Sequence, residues 1–248
     1  MLLLRSLLFY IVMALATVVY TPVAFLTFPF RFRTRFYIIT SWGRLNLHVL
    51  AWVCNLRYEV EGRENLPETT AVAFCKHQST WETLGMQKIL PPQTWVLKRE
   101  LLRIPFFGWG LAMLDPIAID RASGRQALQQ MVEQGKARLE TDHWVVVFPE
   151  GTRMPVGKRR RFGYGGAKLA AESGHPVVPI AHNAGQFWRR RGFIKYPGVI
   201  QVKIGKPILT AGRKPADINA EAEAWIAKAM FEITGVEEEV VERKKAAA

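Results

Sequence analysis

The sequence predicts an α/β fold, a mostly parallel central sheet covered by helices, preceded by an N-terminal membrane-associated helical segment. Three observations lead there. Four apolar runs, at 71–76, 94–97, 144–148 and 177–181, are separated by stretches with helical periodicity, and strands buried on both faces belong to parallel sheets. Ser6 to Phe30 carries no charged residue. The 248 residues, 49% of them hydrophobic, suffice for one sizeable domain plus an appendage. The expected division is 1–56 for the N-terminal helices, 57–235 for the α/β domain and 236–248 for a charged C-terminal tail.

At about 1.5 Å per residue, the segment Ser6 to Phe30 is long enough to cross about 30 Å of hydrocarbon. Arg5 precedes it, while Arg31, Arg33 and Arg35 follow, so the positive-inside bias puts the remainder in the cytoplasm, at the inner face of the plasma membrane. A cleaved signal peptide competes, since Ala14-Leu15-Ala16 imitates a cleavage site, but cutting there leaves Val18 to Phe30 apolar and exposed. Pro22 and Pro29 leave open a kinked helix that dips in and returns. From Phe36 to Leu56, Thr40, Arg44, His48 and Asn55 form a narrow polar stripe among Trp42, Leu45, Val49, Trp52 and Val53. A helix in the membrane interface and a helix packed on the core fit that pattern equally.

Tyr58 to Glu61 reads as a short strand, and Ala71 to Lys76 as the first core strand. A helix from Thr80 to Leu90 stops at Pro91-Pro92. Thr94 to Leu97 is the next strand, delivering Lys98 and Arg99 to its end. Ile104 to Leu114 is apolar without a clear period; it reads as core, with the wall of an acyl-chain tunnel as the alternative. After a short strand at Pro116–Arg121, a helix beginning near Ser123 buries Leu128, Met131, Val132 and Leu139. Trp144 to Phe148 is a strand, Ala167 to Ser173 a helix ended by Gly174, and Val177 to Ala181 a further strand. Ile200, Val202 and Ile204 alternate with Gln201 and Lys203 as a half-exposed strand, and Trp225, Ile226, Ala229, Met230 and Ile233 line a last helix. Beyond Gly235 the charged tail is expected to fray.

The first core strand ends at Lys76-His77, and Ser79-Thr80-Trp81-Glu82 has the spacing that opens a helix. His77 thus falls on a strand-to-helix turn, outside the carboxyl end of a strand where open α/β sheets bind ligands. The turn lets the Glu82 carboxylate reach the imidazole; equally, Glu82 caps its own helix and His77 is an ordinary polar residue. A second stretch of this kind, Phe148-Pro149-Glu150-Gly151-Thr152-Arg153, follows the run Trp144 to Val147. Together these two stretches resemble the glycerolipid acyltransferase family, specifically the 1-acylglycerol-3-phosphate acyltransferases. Lys98 to Gly108 is similar to the family's second block and Val177-Val178-Pro179-Ile180 to its fourth, so the resemblance runs from Lys76 to about Gly185. Two positions depart from the pattern: Glu82 stands where the family usually has Asp, and Gly163 where many members have Lys.

The resemblance implies transfer of a fatty acyl group from an acyl thioester, acyl-CoA or acyl carrier protein, to the sn-2 hydroxyl of lysophosphatidate, forming phosphatidate among membrane lipids. His77, held by Glu82, would take the hydroxyl proton, with no covalent intermediate, no cofactor and no metal. Backbone N–H groups after Ser79 are the candidate oxyanion donors. Arg153, whose guanidinium can grip phosphate through a bidentate fork, is the first choice for the substrate phosphate and Lys98 the second. Gly151 and Thr152 shape that substrate-binding loop, and Glu150 holds its turn. Ser79 is read as a cap, and Cys75 lacks an activating base. Cys54 and Cys75 read as core residues, and His143, His175 and His182 show no paired ligand spacing. The net charge of +13 suits anionic lipid, nucleic acid or phosphate-bearing substrates without choosing among them. With the resemblance, no nucleic acid is expected. The alternatives are another lysolipid or glycerol 3-phosphate as acceptor, or a non-catalytic, membrane-anchored basic binding protein.

Overall fold

The computed structural model describes residues 1–120 and 123–242. The chain opens with helices α1 (Leu2–Leu26), α2 (Phe32–Ile39) and α3 (Ser41–Val53). There follow β1 (Leu56–Glu61), β2 (Val72–Cys75), α4 (Trp81–Ile89), β3 (Gln93–Lys98), α5 (Phe107–Ala112), β4 (Ile117–Ile119), α6 (Gly124–Glu140) and β5 (Trp144–Val147). The remainder comprises β6 (Lys158–Arg159), α7 (Tyr164–Ser173), β7 (Val177–His182), α8 (Ala184–Phe187), β8 (Gly198–Ile204), α9 (Pro215–Thr234) and β9 (Glu239–Val240).

The main sheet has the order β1-β8-β7-β2-β5-β3-β4. From β7 to β4 the five strands are parallel; β8 joins β7 antiparallel, and β1 lies parallel to β8 at the edge. The mostly parallel sheet expected from the four apolar runs is therefore present. Side-chain alternation along 71–75 divides the core in two. Ala71, Ala73 and Cys75 join Phe9, Leu50, Leu84 and Met86, beneath α1, α3 and α4. Val72 and Phe74 join Met131, Leu169 and Ile226, beneath α6, α7 and α9. Helix α7 approaches the sheet so closely that a Cβ at Gly166 would lie 2.8 Å from the Phe74 ring, which is why that position has no side chain.

Helix α1 is the one described helix long and apolar enough to cross a membrane. It also packs along the domain, against α3 and α5. Near its start Ser6 Oγ accepts the Lys195 backbone N–H (2.9 Å), and near its end Thr21 Oγ1 donates to the Phe106 carbonyl (3.0 Å). Its other side leaves Leu4 and Val19 70% and 63% exposed.

Three expectations are corrected. The stretch 36–56 is two helices, not one, because the Thr40 and Ser41 hydroxyls donate back to the Phe36 and Ile38 carbonyls (2.7 and 2.6 Å) at the junction. Thr40 is buried and Asn55 lies beyond α3 at φ +49°, so no continuous polar stripe forms. The apolar stretch 104–114 is core only in part: Leu114 is buried, with Leu111 and Met113 packed against the same cluster, but Ile104, Phe106 and Trp109 are 44%, 40% and 44% exposed, and α5 packs on α1 and extends its apolar face. Nor does the tail fray through 242: β9 pairs with β6, and the Glu238 side chain is buried. Arg121, and residues 243–248 of the tail, lie outside the described residues.

Candidate active site

β2 ends at Cys75 and α4 begins at Trp81, so His77 lies on the predicted turn, between the ends of neighbouring β5 and β7. The two readings of Glu82 are both realised by one carboxylate. Its oxygens accept the backbone N–H groups of Gln78 (3.0 Å) and Ser79 (2.8 Å to Oε2), capping the helix, and Oε1 lies 2.6 Å from His77 Nδ1. Both Glu82 oxygens already accept backbone N–H groups, so His77 Nδ1–H donates to Oε1 and Nε2 keeps its lone pair. His77 Nε2 has no hydrogen-bond partner among the described residues. The Phe148 ring stacks on the imidazole (4.1 Å between centroids, 19°), fixing its plane. Glu82 is fully buried while the His77 side chain is 15% exposed, so only the histidine can meet a substrate.

Sequence spacing missed His182. It ends β7, fully buried, with Nε2 donating to the Lys76 carbonyl (2.9 Å) and Nδ1 accepting the Ala184 N–H (3.2 Å). Burial holds its pKa below the ordinary histidine value, so it stays neutral, its Nε2 atom 3.7 Å from Glu82 Oε2. It stands beside the carboxylate that holds His77, with its own N–H spent on the Lys76 carbonyl. A lone histidine at a strand end carries no local signal of this; only the β2–β7 pairing brings it there.

The second motif is sewn to the first. Glu150, buried, accepts the His77 backbone N–H with Oε2 (3.0 Å) and the Lys76 ammonium with Oε1 (2.8 Å). The Met154 N–H donates to the His77 carbonyl (2.6 Å). Between these anchors Gly151 turns the chain at φ +73°, a conformation that favours glycine, and Thr152 is half-buried beside it. Arg153, next to the residue bonded to His77, is half-buried and makes no ion pair among the described residues. Lys98 is exposed at the end of β3, on the far side of β5 from β2, roughly 10 Å from the His77 strand at the usual strand spacing.

The other candidates resolve by contact. Ser79 Oγ accepts the Trp81 N–H (3.1 Å), a capping bond that also removes one expected oxyanion donor. Cys75 is fully buried, and burial together with the Glu82 and Glu150 charges pushes its thiol well up. Lys158 to Arg161 form a run of four basic residues; within it Arg159 pairs with Glu223 (2.7 Å) and Lys158 with Glu239 (3.5 Å).

Fold and site define the class: an α/β enzyme whose histidine, held by a buried carboxylate, stands at the carboxyl ends of a parallel sheet. Residues 57–183 match the family model described as Acyltransferase. The chain is 46% identical over 242 residues to a 1-acyl-sn-glycerol-3-phosphate acyltransferase of Pseudomonas aeruginosa, covering 95% of this chain and 94% of that one. The human 1-acyl-sn-glycerol-3-phosphate acyltransferase alpha is 33% identical over 183 residues, 73% of this chain and 65% of its own. The crystal structure of the 1-acyl-sn-glycerophosphate acyltransferase PlsC from Thermotoga maritima shares the fold at a TM-score of 0.78, with 23% identity, over 93% of this chain and 95% of that one. This protein belongs to the acyltransferase family.

Proposed function

We propose that this enzyme transfers a fatty acyl group from an acyl thioester to the sn-2 hydroxyl of 1-acylglycerol 3-phosphate, forming phosphatidate. The observation that carries the reading is the His77–Glu82 pair, with Nδ1 held at 2.6 Å and Nε2 without a hydrogen-bond partner among the described residues, in a side chain that is 15% exposed. Nε2 takes the proton of the acceptor hydroxyl as its oxygen attacks the thioester carbonyl. The imidazolium formed is stabilised by Glu82, and its Nε2 proton passes to the departing thiolate. Both substrates stay bound throughout, and no covalent intermediate on the enzyme is needed. Arg153, a cation without a carboxylate partner among the described residues and next to the residue bonded to the His77 carbonyl, takes the acceptor phosphate; Lys98 is the second cation for it. Gly151 and Thr152 give the loop its shape and Glu150 holds it by its buried end. The relatives that carry the name 1-acyl-sn-glycerol-3-phosphate acyltransferase support the acceptor, and the chain's basic charge suits acyl-CoA or acyl carrier protein as donor.

The same reading places the chain on a membrane. The outward side of α1 and the exposed aromatics of α5 make one apolar face, flanked by exposed Arg31, Arg33 and Arg103. The bonds that fasten both ends of α1 to the domain favour α1 lying along the surface of one leaflet, and the arginines after it favour the cytoplasmic one.

The test is acyl transfer from a labelled thioester to lysophosphatidate, glycerol 3-phosphate and other lysolipids in detergent micelles. His77→Ala is expected to lower kcat by about 10²–10⁴-fold while remaining folded. Arg153→Ala raises KM for the phosphate-bearing acceptor roughly tenfold or more, with a smaller effect on kcat. Turnover of His77→Ala at the wild-type rate would overturn the mechanism, and preference for another acceptor would overturn the substrate.

A further inference from the structure

The residues on either side of His77 are both tied to the C-terminal segment. Lys76 and Gln78 are each 1% exposed, and one carboxylate reaches both: Glu238 Oε2 lies 2.9 Å from Lys76 Nζ, and Oε1 accepts from Gln78 Nε2 at 3.2 Å. An ammonium has three hydrogens. Those of Lys76 go to Glu150 (2.8 Å), Glu238 and the Lys158 carbonyl (3.3 Å), so all three are used. Charge balance needs only one carboxylate beside that lysine, and Glu150 already supplies it. A second buried carboxylate is costly, which asks for a reason beyond pairing.

The backbone around Glu238 is held as firmly as its side chain. Glu239 N–H donates to the Gly157 carbonyl (2.9 Å) and Val241 N–H to the Arg159 carbonyl (2.8 Å), where β9 runs beside β6. β6 continues the loop that carries Arg153 and whose Met154 N–H holds the His77 carbonyl. A closed circuit results. It runs from Glu238 to Lys76, from Lys76 to Glu150, from Glu150 to the His77 N–H, and back through Gln78 to Glu238.

We propose that Glu238 is a positioning residue for His77: by gripping Lys76 and Gln78 together, the C-terminal segment sets the backbone from which the imidazole reaches the acceptor hydroxyl. Without that grip one proton of a buried ammonium has no acceptor, and Gln78, whose Oε1 already lacks a partner among the described residues, loses its amide contact as well. The 76–78 backbone then relaxes, and the base shifts relative to bound substrate while its own bond to Glu82 survives. This inference rests on His77 being the base.

The experiment measures kcat and KM for lysophosphatidate in detergent micelles, with the full chain and with folded content determined for each variant. Glu238→Ala is expected to lower kcat about tenfold per folded molecule, with KM changed less than twofold. Glu238→Gln, which still offers an acceptor to Lys76 and can pair with Gln78 through its free Oε1, should recover kcat to within about threefold of wild type. Glu239→Ala removes only an exposed ion pair with Lys158 and keeps wild-type kcat. If Glu238→Ala does not fold, Glu238→Asp, with its carboxylate drawn back by one carbon, replaces it and is expected to lose several-fold in kcat. A variant that melts earlier yet keeps full kcat per folded molecule would overturn the inference, since the residue would then be structural only. His77→Ala, assayed alongside, separates the two failures. If it is inactive while Glu238→Ala and Glu238→Asp are fully active, only the positioning role falls; if it is active, the base assignment falls with it.

Discussion

At residue 82 one carboxylate meets two demands that pull in the same direction. Capping α4 requires an acceptor facing the Gln78 and Ser79 N–H groups, and orienting His77 requires an acceptor facing Nδ1; the turn brings all three donors to the same side chain. The added methylene relative to aspartate is accommodated, because Glu82 closes the His77 contact at 2.6 Å while keeping its helix bonds. Glu82→Gln places amide hydrogens among N–H donors in a fully buried site. Stability is expected to fall by about 1–3 kcal/mol, read by denaturant titration, and kcat to fall by more than tenfold in the acyl-transfer assay. A variant with normal turnover would show that His77 needs no charged partner.

At the scale of elements, α1 is fastened to the domain through Lys195. Its ammonium sits 3.4 Å from the Tyr10 ring centroid and 4.4 Å from that of Trp188, and donates to the Phe193 carbonyl (2.6 Å). Burial among these rings pulls its pKa down to about 7. The unfolded chain titrates near 10.4, so between about pH 7 and 10.4 the unfolded state binds a proton that the folded state lacks, and stability rises with pH across that window. Below pH 7 both states hold the proton, and the cost of burying the charge is present in full. Lys195→Met removes this dependence. Its melting temperature relative to wild type should be highest near pH 6 and decline steadily by pH 9, as thermal unfolding at several pH values would record. A constant difference would show that Lys195 titrates alike in both states. The break between α2 and α3 and the exposure of α5 belong to this scale too, since neither follows from local periodicity.

For the whole molecule, α1 and α5 lie far apart in sequence yet form one apolar face, flanked by exposed Arg31, Arg33 and Arg103. Phe107→Ser with Trp109→Ser is expected to weaken sedimentation with phosphatidylglycerol vesicles by about tenfold while leaving the fold intact. Unchanged binding would place the docking face elsewhere.

What the sequence by itself determined is local. Four apolar runs specify buried strands, the Ser79-to-Glu82 spacing specifies a helix start beside His77, and glycine at 151 marks a turn that only it adopts easily. These features depend on neighbours a few residues away, so they can be read without a fold. The tertiary structure decided the rest. His182 reaches the Lys76 carbonyl only because β7 pairs with β2, and Glu150 reaches Lys76 only because β5 lies on the other side. Glu238 meets Lys76 across 162 residues, in a tail whose charge alone reads as solvated. Burial turns those charges from a sign of disorder into a requirement for partners, and which partners are in reach is set by strand order, a property that no short stretch of sequence contains.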